Sequence, residues 1–439
     1  MIKQYGEALR FLEDLPFRDV KPGLDRIRHL LEHSEIPQSD DIKSVHIAGS
    51  NGKGSVLALL KAALKSTYKV GSFISPPLHG FRDRITVNDR PIPERALTRI
   101  ISELEEPIAE LKSSGNPPTL FEAATAVGAI YFAAQKVDLA LWEVGLGGRF
   151  DATVAVGDPL LSIITNIEYE HADILGPGIQ EIAREISGVV REARPLVHGP
   201  LENSKREIVQ EECDKKNSQI ITTEQTVQVQ LRDLDWSRST FKVSGESARN
   251  LADPKVKLPL LGGFQRENLA VALTALLALG DQGLALKPEE VQRGLEKASW
   301  PGRFQLVRRS PRVVLDGAHN LPAARTLKRE LDRYKDVGQG FDAAVLVFSA
   351  LKDKDYQGMI GTLAPSFQQI ILTQLDHYRA LPAKQLADAA EEVGIPYTIT
   401  SQPGQAFEQA LARVAAKDLI CITGSLYLIR EAVSNGFTE

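Results

Sequence analysis

The sequence AGSNGKGSV at residues 48–56 decides the fold of the first part of the chain. It follows the apolar run 45–47 and leads into the helix-forming run 56–60. Glycines let backbone N–H groups close around phosphate oxygens, and a helix N-terminus adds the positive end of its dipole. Lys53 is suited to neutralise the outer phosphates, and Ser55 is suited to offer a hydroxyl to Mg²⁺. We therefore predict that this loop binds ATP or a close relative.

The loop differs at one point from the common phosphate-binding pattern, G-x-x-x-x-G-K-[ST]. Gly54 separates Lys53 from Ser55, whereas the two side chains are adjacent in the common pattern. The alternative interpretation is a glycine-rich turn with an exposed lysine. The strand before the loop and the helix after it favour the phosphate loop. Its candidate nucleotide-binding residues are Gly49, Ser50, Asn51, Gly52, Lys53, Gly54 and Ser55.

Length and composition limit the class of protein. A chain of 439 residues exceeds what one core usually organises, so more than one domain is expected. The formal net charge of −5 argues against a nucleic-acid partner, which needs clustered basic charge. Cys213 and Cys421 are too few for a disulfide framework, and neither a signal peptide nor a membrane-spanning run is evident. We expect a cytoplasmic protein without a membrane partner, and a monomer because no heptad pattern occurs.

Apolar strand-like runs alternate with amphipathic helical runs along most of the chain, and this pattern predicts parallel sheets flanked by helices. Residues 225–259 break the rhythm with period-two alternation, which predicts a small antiparallel sheet. The alternation restarts after the turn at residues 300–303. We predict an α/β protein with a phosphate-loop ATPase domain of mostly parallel sheet at residues 1–298. A smaller Rossmann-like α/β domain is predicted at residues 299–439.

Three polar side chains follow predicted strands of the first domain, where open α/β sheets bind ligands. Glu143 precedes a run with three glycines for which the sequence shows no packing role, and a carboxylate there is suited to hold Mg²⁺. A surface glutamate beside a flexible turn is the alternative. Ser75 is equally compatible with an ordinary proline turn, and His171 with a structural histidine. The residues alone leave these choices open.

A second polar group follows the predicted strand 312–315. It is the sequence DGAHN at residues 316–320, and Arg303 in the preceding turn is suited to contact a phosphate. Each residue by itself is compatible with ordinary surface. Taken with the phosphate loop, they predict an ATP site formed by two α/β domains.

These motifs resemble those of the folylpolyglutamate synthase and dihydrofolate synthase family, within the Mur ligase superfamily of ATP-dependent amide-forming enzymes. The resemblance covers nearly the whole chain and implies a Mur ligase central-type domain followed by a glutamate ligase domain. It also implies ligation of L-glutamate to a folate or dihydropteroate carboxylate through an acyl phosphate, with ATP as substrate and Mg²⁺ as cofactor. Besides the loop, the matching strings are SPPLHGFRDRITVNDRPI at 75–92, TLFE at 119–122, EVGLGGRFDAT at 143–153, GGFQREN at 262–268, WPGR at 300–303, DGAHN at 316–320 and TGSLY at 423–427.

The resemblance also implies roles for individual residues. The region 24–31, with Arg26 and Ile27, is similar to the family's helical region near the pterin site. Lys53 and His319 are implied as the residues that act on the reacting groups. The implied metal ligands are Ser55, Ser75, Glu143 and His171. The implied ATP-binding residues outside the loop are Gln265, Asn268, Arg303 and Asp316.

The chain departs from the family pattern at four positions. The family has a lysine, carbamylated to help hold a second Mg²⁺, where this sequence has Ile186, and isoleucine can neither be carbamylated nor bind a metal. Pro77 and Phe264 replace histidines, and Glu170 replaces a common aspartate. Two alternatives follow. One is a ligase of the same chemistry that acts on a different carboxylate, and the other is an ATP-binding protein that has lost ligase activity.

Overall fold

A computed structural model describes residues 2–16, 22–33, 42–157, 159–338 and 340–438. The chain divides into two units. The first consists of Met1–Val229, Val243–Val256 and Glu267–Ala298, and the second of Gln230–Lys242, Lys257–Arg266 and Ser299–Glu439. The domain boundary after residue 298 stays a prediction.

A mostly parallel sheet forms the centre of the first unit. Within the described residues its strands are β1 Ser44–Ala48, β2 Val70–Phe73, β3 Ile85–Val87, β4 Arg90–Pro91, β5 Leu139–Glu143, β6 Pro159–Ile164, β7 Leu196–His198 and β8 Ile220–Thr222. Their order is β4-β3-β2-β5-β1-β6-β7-β8. Among the described strands, the antiparallel pairs are β2 with β3 and β3 with β4, at one edge. All five residues of β1 are buried, as expected for a central strand of a parallel sheet.

Helices cover this sheet. Those of the first part of the chain are α1 Tyr5–Glu13, α2 Asp25–Glu32, α3 Lys53–Leu64, α4 Glu94–Ser113, α5 Leu120–Gln135, α6 Ala172–Leu175, α7 Ile179–Ser187, α8 Asn203–Lys215 and α9 Thr223–Thr226. Helix α4 continues past Pro107, and buried Ile108 and Leu111 extend its apolar stripe. Among the described helices, none combines the length and the apolarity needed to cross a bilayer.

The region 225–259 forms a separate small sheet, as its period-two pattern predicts. Its strands are β9 Gln228–Leu234, β10 Ser239–Ser244 and β11 Lys255–Leu258, in the order β11-β10-β9. The short connection from β9 to β10 is closed by a hydrogen bond from Asp235 N to Arg238 O. Helices α10 Gln265–Asp281 and α11 Pro288–Leu295 follow.

The rest of the second unit is another α/β arrangement. Its strands are β12 Gln305–Arg309, β13 Arg312–Leu315, β14 Ala344–Phe348, β15 Gln369–Thr373, β16 Tyr397–Thr400 and β17 Leu419–Thr423, in the order β12-β13-β17-β14-β15-β16. All pair in parallel except β12. Its helices are α12 Leu321–Tyr334, α13 Tyr356–Leu363, α14 Ala383–Glu392, α15 Pro403–Ala412 and α16 Leu426–Ser434. The α/β fold predicted from the alternation of apolar runs is confirmed.

A buried ion pair joins α2 to α5. The guanidinium of Arg26 contacts the Glu122 carboxylate through Nη2 at 2.9 Å and donates through Nε at 3.0 Å, and both side chains are only 7% exposed. Nη1 of Arg26 donates to Asn116 Oδ1 at 3.1 Å. Glu122 also accepts the backbone N–H of Thr119 in the capping box that begins α5. Ile27 is fully buried, so its side chain supports the helix from within the core.

We predict that Arg26→Ala lowers the free energy of unfolding by about 3–5 kcal/mol, because the Glu122 charge is left buried without its partner. Arg28→Ala is the matched control, since Arg28 is 57% exposed on the same helix. The control is expected to cost less than about 1 kcal/mol. Urea unfolding followed by circular dichroism measures both, and equal losses in the two variants would contradict the prediction.

Candidate active site

The phosphate loop connects β1 to α3 and is shaped by two glycines with positive φ. Gly49 has φ +125°, and a Cβ there would lie 2.2 Å from Thr165 Oγ1. Gly52 has φ +88°, and a Cβ there would lie 2.4 Å from Asn268 Oδ1. Both positions therefore combine a backbone conformation that favours glycine with a close approach of neighbouring groups.

The end of β6 braces the loop through hydrogen bonds. Thr165 Oγ1 donates to Asn51 O at 2.6 Å, and Asn51 N donates to Asn166 Oδ1 at 2.8 Å. Ser50 N donates to Asn166 O at 3.1 Å, and Glu168 N donates to Ser50 Oγ at 2.9 Å. Sequence reasoning did not identify Thr165 and Asn166 as site residues. The sequence did contain a signal for these two residues, because they are the first polar residues after an apolar strand.

Lys53 and Ser55 lie in the first turn of α3. The Lys53 ammonium folds back over the loop and donates to the carbonyl oxygens of Gly49 and Ser50. Ser55 is 3% exposed, so its side chain is buried at the start of α3. An ammonium, a hydroxyl and the N-terminus of a twelve-residue helix thus meet in one loop. This is a favourable combination for a polyphosphate.

Ser75 and Glu143 are brought together beside the loop. β5 pairs with β1 so that Glu143 is opposite Ile47, two residues before Gly49. Ser75 N donates to Glu143 Oε2 at 3.0 Å, and Arg84 Nη1 donates to Ser75 Oγ at 3.2 Å. Glu143 is 5% exposed, so the alternative of a surface glutamate is wrong. A buried carboxylate and a serine hydroxyl at adjacent strand ends supply oxygen donors of the type that Mg²⁺ prefers.

The glycines after Glu143 do have a packing role, so this part of the sequence argument is wrong. A Cβ on Gly148 would lie 2.5 Å from Ile186 O and 2.8 Å from Val189 N, so the loop lies directly on the C-terminal end of α7. The Asp151 carboxylate closes the loop by accepting the N–H groups of Gly145 at 2.9 Å and Leu146 at 3.0 Å. Burial raises the pKa of Asp151, and these donors oppose the shift.

Ile186 lies in an apolar cluster beneath this loop. Its side chain is 2% exposed and belongs to the same cluster as Ala48, Val144 and Ile164. A hydrocarbon in an apolar surrounding supplies no metal ligand. The residue present here therefore does not fit the second Mg²⁺ that the family pattern implies.

His171 has a left-handed conformation with φ +52° and is the residue before the short helix α6. Its side chain is partly exposed. Its role as a metal ligand with Glu143 and Ser75 stays a prediction.

In the second unit, Asp316 joins two turns. Its carboxylate accepts the N–H groups of Phe304 and Ala318, both at 2.8 Å. Burial raises the pKa of Asp316, and the Arg303 charge opposes this shift. A Cβ on Gly317 would lie 2.5 Å from Arg303 Nη1, so the guanidinium lies across the strand end. Asp316 thus positions Arg303. A direct contact of Asp316 with ATP stays a prediction.

His319 and Asn320 are held by the same strand end. His319 Nδ1 lies 2.8 Å from Gly317 O, so Nδ1 carries the hydrogen and Nε2 is the acceptor nitrogen of the neutral ring. Asn320 Oδ1 accepts Ala323 N at 2.9 Å and begins α12. The imidazole orientation is therefore set by the backbone that follows β13.

Gln265 and Asn268 lie in the first turn of α10. Gln265 is fully buried, and Asn268 lies against Gly52 of the phosphate loop. The preceding glycine pair is held by α12, because Glu330 accepts Gly263 N at 2.8 Å and Tyr334 Oη accepts Gly262 N at 3.2 Å. Sequence reasoning missed Glu330 and Tyr334, because neither belongs to a local motif and both are distant in sequence from the glycines that they hold.

Comparison with family models and known proteins gives a consistent result. Residues 47–276 match the Mur ligase middle domain, and residues 302–426 match the Mur ligase glutamate ligase domain. The dihydrofolate synthase/folylpolyglutamate synthase of Bacillus subtilis is 33% identical over 98% of this chain and 99% of its own length. A probable bifunctional folylpolyglutamate synthase/dihydropteroate synthase of Haloferax volcanii is 34% identical over 98% of this chain, which spans only 50% of that protein.

A solved structure shows the same fold. Escherichia coli FolC in complex with DHPP and ADP superposes with a TM-score of 0.84 and 28% sequence identity. The match covers 98% of this chain and 97% of that chain.

We predict that Gly52→Ala weakens nucleotide binding by roughly tenfold or more, a loss of about 1.4 kcal/mol or greater, because the methyl group displaces Asn268 or the loop. Gly283→Ala is the matched control, since Gly283 has φ +89° with nothing within 4 Å of a Cβ. The control is expected to lose about 1 kcal/mol of stability and no nucleotide affinity. Titration with a fluorescent ATP analogue measures both, and unchanged affinity in Gly52→Ala would refute the proposed role of the loop.

Proposed function

Because the chain belongs to the folylpolyglutamate synthase and dihydrofolate synthase family of Mur ligases, we propose that it ligates L-glutamate to a folate or dihydropteroate carboxylate with ATP. The observation that carries the proposal is the braced phosphate loop with Lys53 and Ser55 in its helix turn. The ADP in the E. coli FolC complex supports the choice of nucleotide. The second activity in the name of the Haloferax relative is not proposed, because this chain spans only half of that protein.

The reaction proceeds in two displacements. A carboxylate oxygen of the acceptor attacks the γ-phosphorus of ATP, the bond to the bridging oxygen breaks, and ADP leaves with that electron pair. The amine of glutamate then attacks the acyl phosphate carbon and loses a proton, and inorganic phosphate leaves as the amide forms. Phosphoryl transfer needs mainly positioning and charge neutralisation. Lys53 and the N-terminus of α3 position the phosphates and neutralise their charge.

Mg²⁺ is the cofactor that the donor set fits. The hydroxyls of Ser55 and Ser75 and the carboxylate of Glu143 would hold the ion, and His171 completes the proposed set. A bound Mg²⁺ neutralises charge on the phosphate oxygens.

Residues outside the phosphate loop have proposed roles at the same reaction. Arg303, positioned by Asp316, would contact a phosphate, and Gln265 and Asn268 would contact the nucleotide. His319 would lie near the reacting groups with Nε2 as its acceptor nitrogen. Its chemistry would be to orient or receive the proton of the attacking amine.

Cys213 and Cys421 are both buried free thiols, which fits the proposed cytoplasmic location. A monomer acting on small molecules stays the expectation from the sequence.

Ile186 favours a second candidate, an ATP-binding protein of this family without ligase activity. A related alternative is a ligase for a different carboxylate. Activity measurements separate the candidate without ligase activity from both ligase hypotheses, since both of these require phosphate release that depends on an acceptor and glutamate.

We predict that the protein releases phosphate from ATP only when Mg²⁺, glutamate and an acceptor are present together, with dihydropteroate or tetrahydrofolate as acceptor. Lys53→Ala is expected to abolish this turnover, because the outer phosphates lose their cation. Lys65→Ala is the matched control at the other end of α3, where Lys65 pairs with Asp89. Phosphate release and mass spectrometry of the product measure the outcome. ATP binding without phosphate release with any folate-type acceptor would refute the proposed ligation to a folate or dihydropteroate.

We predict that turnover is independent of bicarbonate, because Ile186 cannot carry a carbamate. Ile186→Lys is expected to be less stable, since it places an ammonium in an apolar cluster, and no more active than the parent. Ile186→Leu is the matched control that keeps the cluster apolar. Assays in bicarbonate-depleted and bicarbonate-supplemented buffer provide the measurement. A gain in turnover by Ile186→Lys that depends on bicarbonate would contradict the prediction.

A further inference from the structure

Two histidines and a glutamate form a cluster on α2 and α4, apart from the residues of the candidate active site. His29 lies in the last turn of α2, His33 is the residue at its C-terminal end, and Glu110 lies in α4. One ligand atom from each side chain lies within 4.8 Å of the others. Among the described residues, this is the one group of three or more histidine, cysteine, aspartate or glutamate side chains with such spacing.

The two imidazoles are already oriented by their surroundings. His33 Nδ1 lies 2.8 Å from His29 O, so the Nδ1 hydrogen is donated to the backbone and Nε2 is left as the acceptor nitrogen. A hydrogen bond of this type fixes the tautomer of a metal-binding histidine. The ring centroids of His29 and His33 lie 4.1 Å apart, as the i,i+4 spacing on a helix allows. His29 Nε2 lies 3.1 Å from Glu110 Oε2.

We propose that His29, His33 and Glu110 form a surface site for a transition-metal dication such as Zn²⁺. Two imidazole nitrogens and one carboxylate oxygen, with water in the fourth position, match the tetrahedral coordination that Zn²⁺ takes. Ligand atoms on a tetrahedral Zn²⁺ lie about 3.3 Å apart, given bonds of about 2.0–2.1 Å. The spacing of up to 4.8 Å therefore has to close, and His33 and Glu110 are exposed and have room to rotate. Mg²⁺ prefers oxygen ligands, so the same cluster does not compete for the cofactor of the reaction.

The proposed ion would fasten α2 to α4. α2 has only eight residues, and a helix of this length is marginal without tertiary contacts. Its inner side is held to α5 by the Arg26–Glu122 pair, and the proposed site would hold its outer side. Binding of the ion only to the folded chain would stabilise this corner of the first unit by mass action.

The competing interpretation is an ordinary surface contact between His29 and Glu110 that binds no metal. Zn²⁺ titration of the 439-residue chain, freed of metal with EDTA and kept free of nucleotide, separates the two interpretations. Competition with a chromophoric chelator gives the number and the affinity of the bound ions.

The parent is expected to bind one Zn²⁺ that His33→Ala and Glu110→Gln lose or bind roughly 10–100-fold more weakly. The matched controls are His79→Ala, an exposed histidine outside the cluster, and Glu106→Gln, an exposed glutamate one turn earlier in α4. Both controls should bind like the parent. Zn²⁺ should raise the melting temperature of the parent and of the controls but not that of His33→Ala.

Co²⁺ provides a direct view of the ligands, because a four-coordinate site gives strong visible absorption that the two cluster variants should lack. Glu143→Gln, which removes a proposed Mg²⁺ ligand, should keep both the Co²⁺ absorption and the Zn²⁺ equivalent. The metal site and the ligase function are thereby tested independently. The proposal is wrong if His33→Ala and Glu110→Gln bind the same number of ions with less than about a tenfold change in affinity.

Discussion

Hydrogen bonds from the end of β6 to the phosphate loop are the constraint on which the first unit depends. Thr165 and Asn166 bond to Ser50 and Asn51, so the loop between β1 and α3 has a defined shape before any ligand arrives. Preorganised donors and charges act on phosphates without the cost of rearrangement. Glycines at 49 and 52 fit this close arrangement, because a side chain there would meet Thr165 or Asn268.

A second layer of support lies behind Glu143. The loop after this residue is closed by Asp151 and packed on the end of α7, so the carboxylate belongs to a rigid strand end. Ile186 contributes to this support as a buried hydrocarbon. Where the resemblance implies a carbamylated lysine, this chain thus has apolar packing. The second unit contains a similar support, because the buried carboxylate of Asp316 holds the turn that carries Arg303.

The two proposals place metal ions in different chemical surroundings. Oxygen donors next to the phosphate loop suit Mg²⁺, whereas paired imidazoles at the end of α2 suit a softer ion. The first belongs to the reaction and the second to the anchoring of one short helix. Neither depends on the other.

The sequence by itself determined the α/β class, the phosphate loop and the family, because apolar periodicity and glycine spacing are local properties of the chain. It also placed Ser75, Glu143 and Asp316 at strand ends. Only the tertiary structure decided which groups meet the phosphate loop and Gly263, because Thr165, Asn268 and Glu330 are distant in sequence from the residues they contact. Local sequence patterns likewise do not show the packing role of Gly148 or the burial of Ile186. They also do not show that His29 and His33 lie next to Glu110. Each depends on which helix packs against which strand end or neighbouring helix, and that is set by the whole fold.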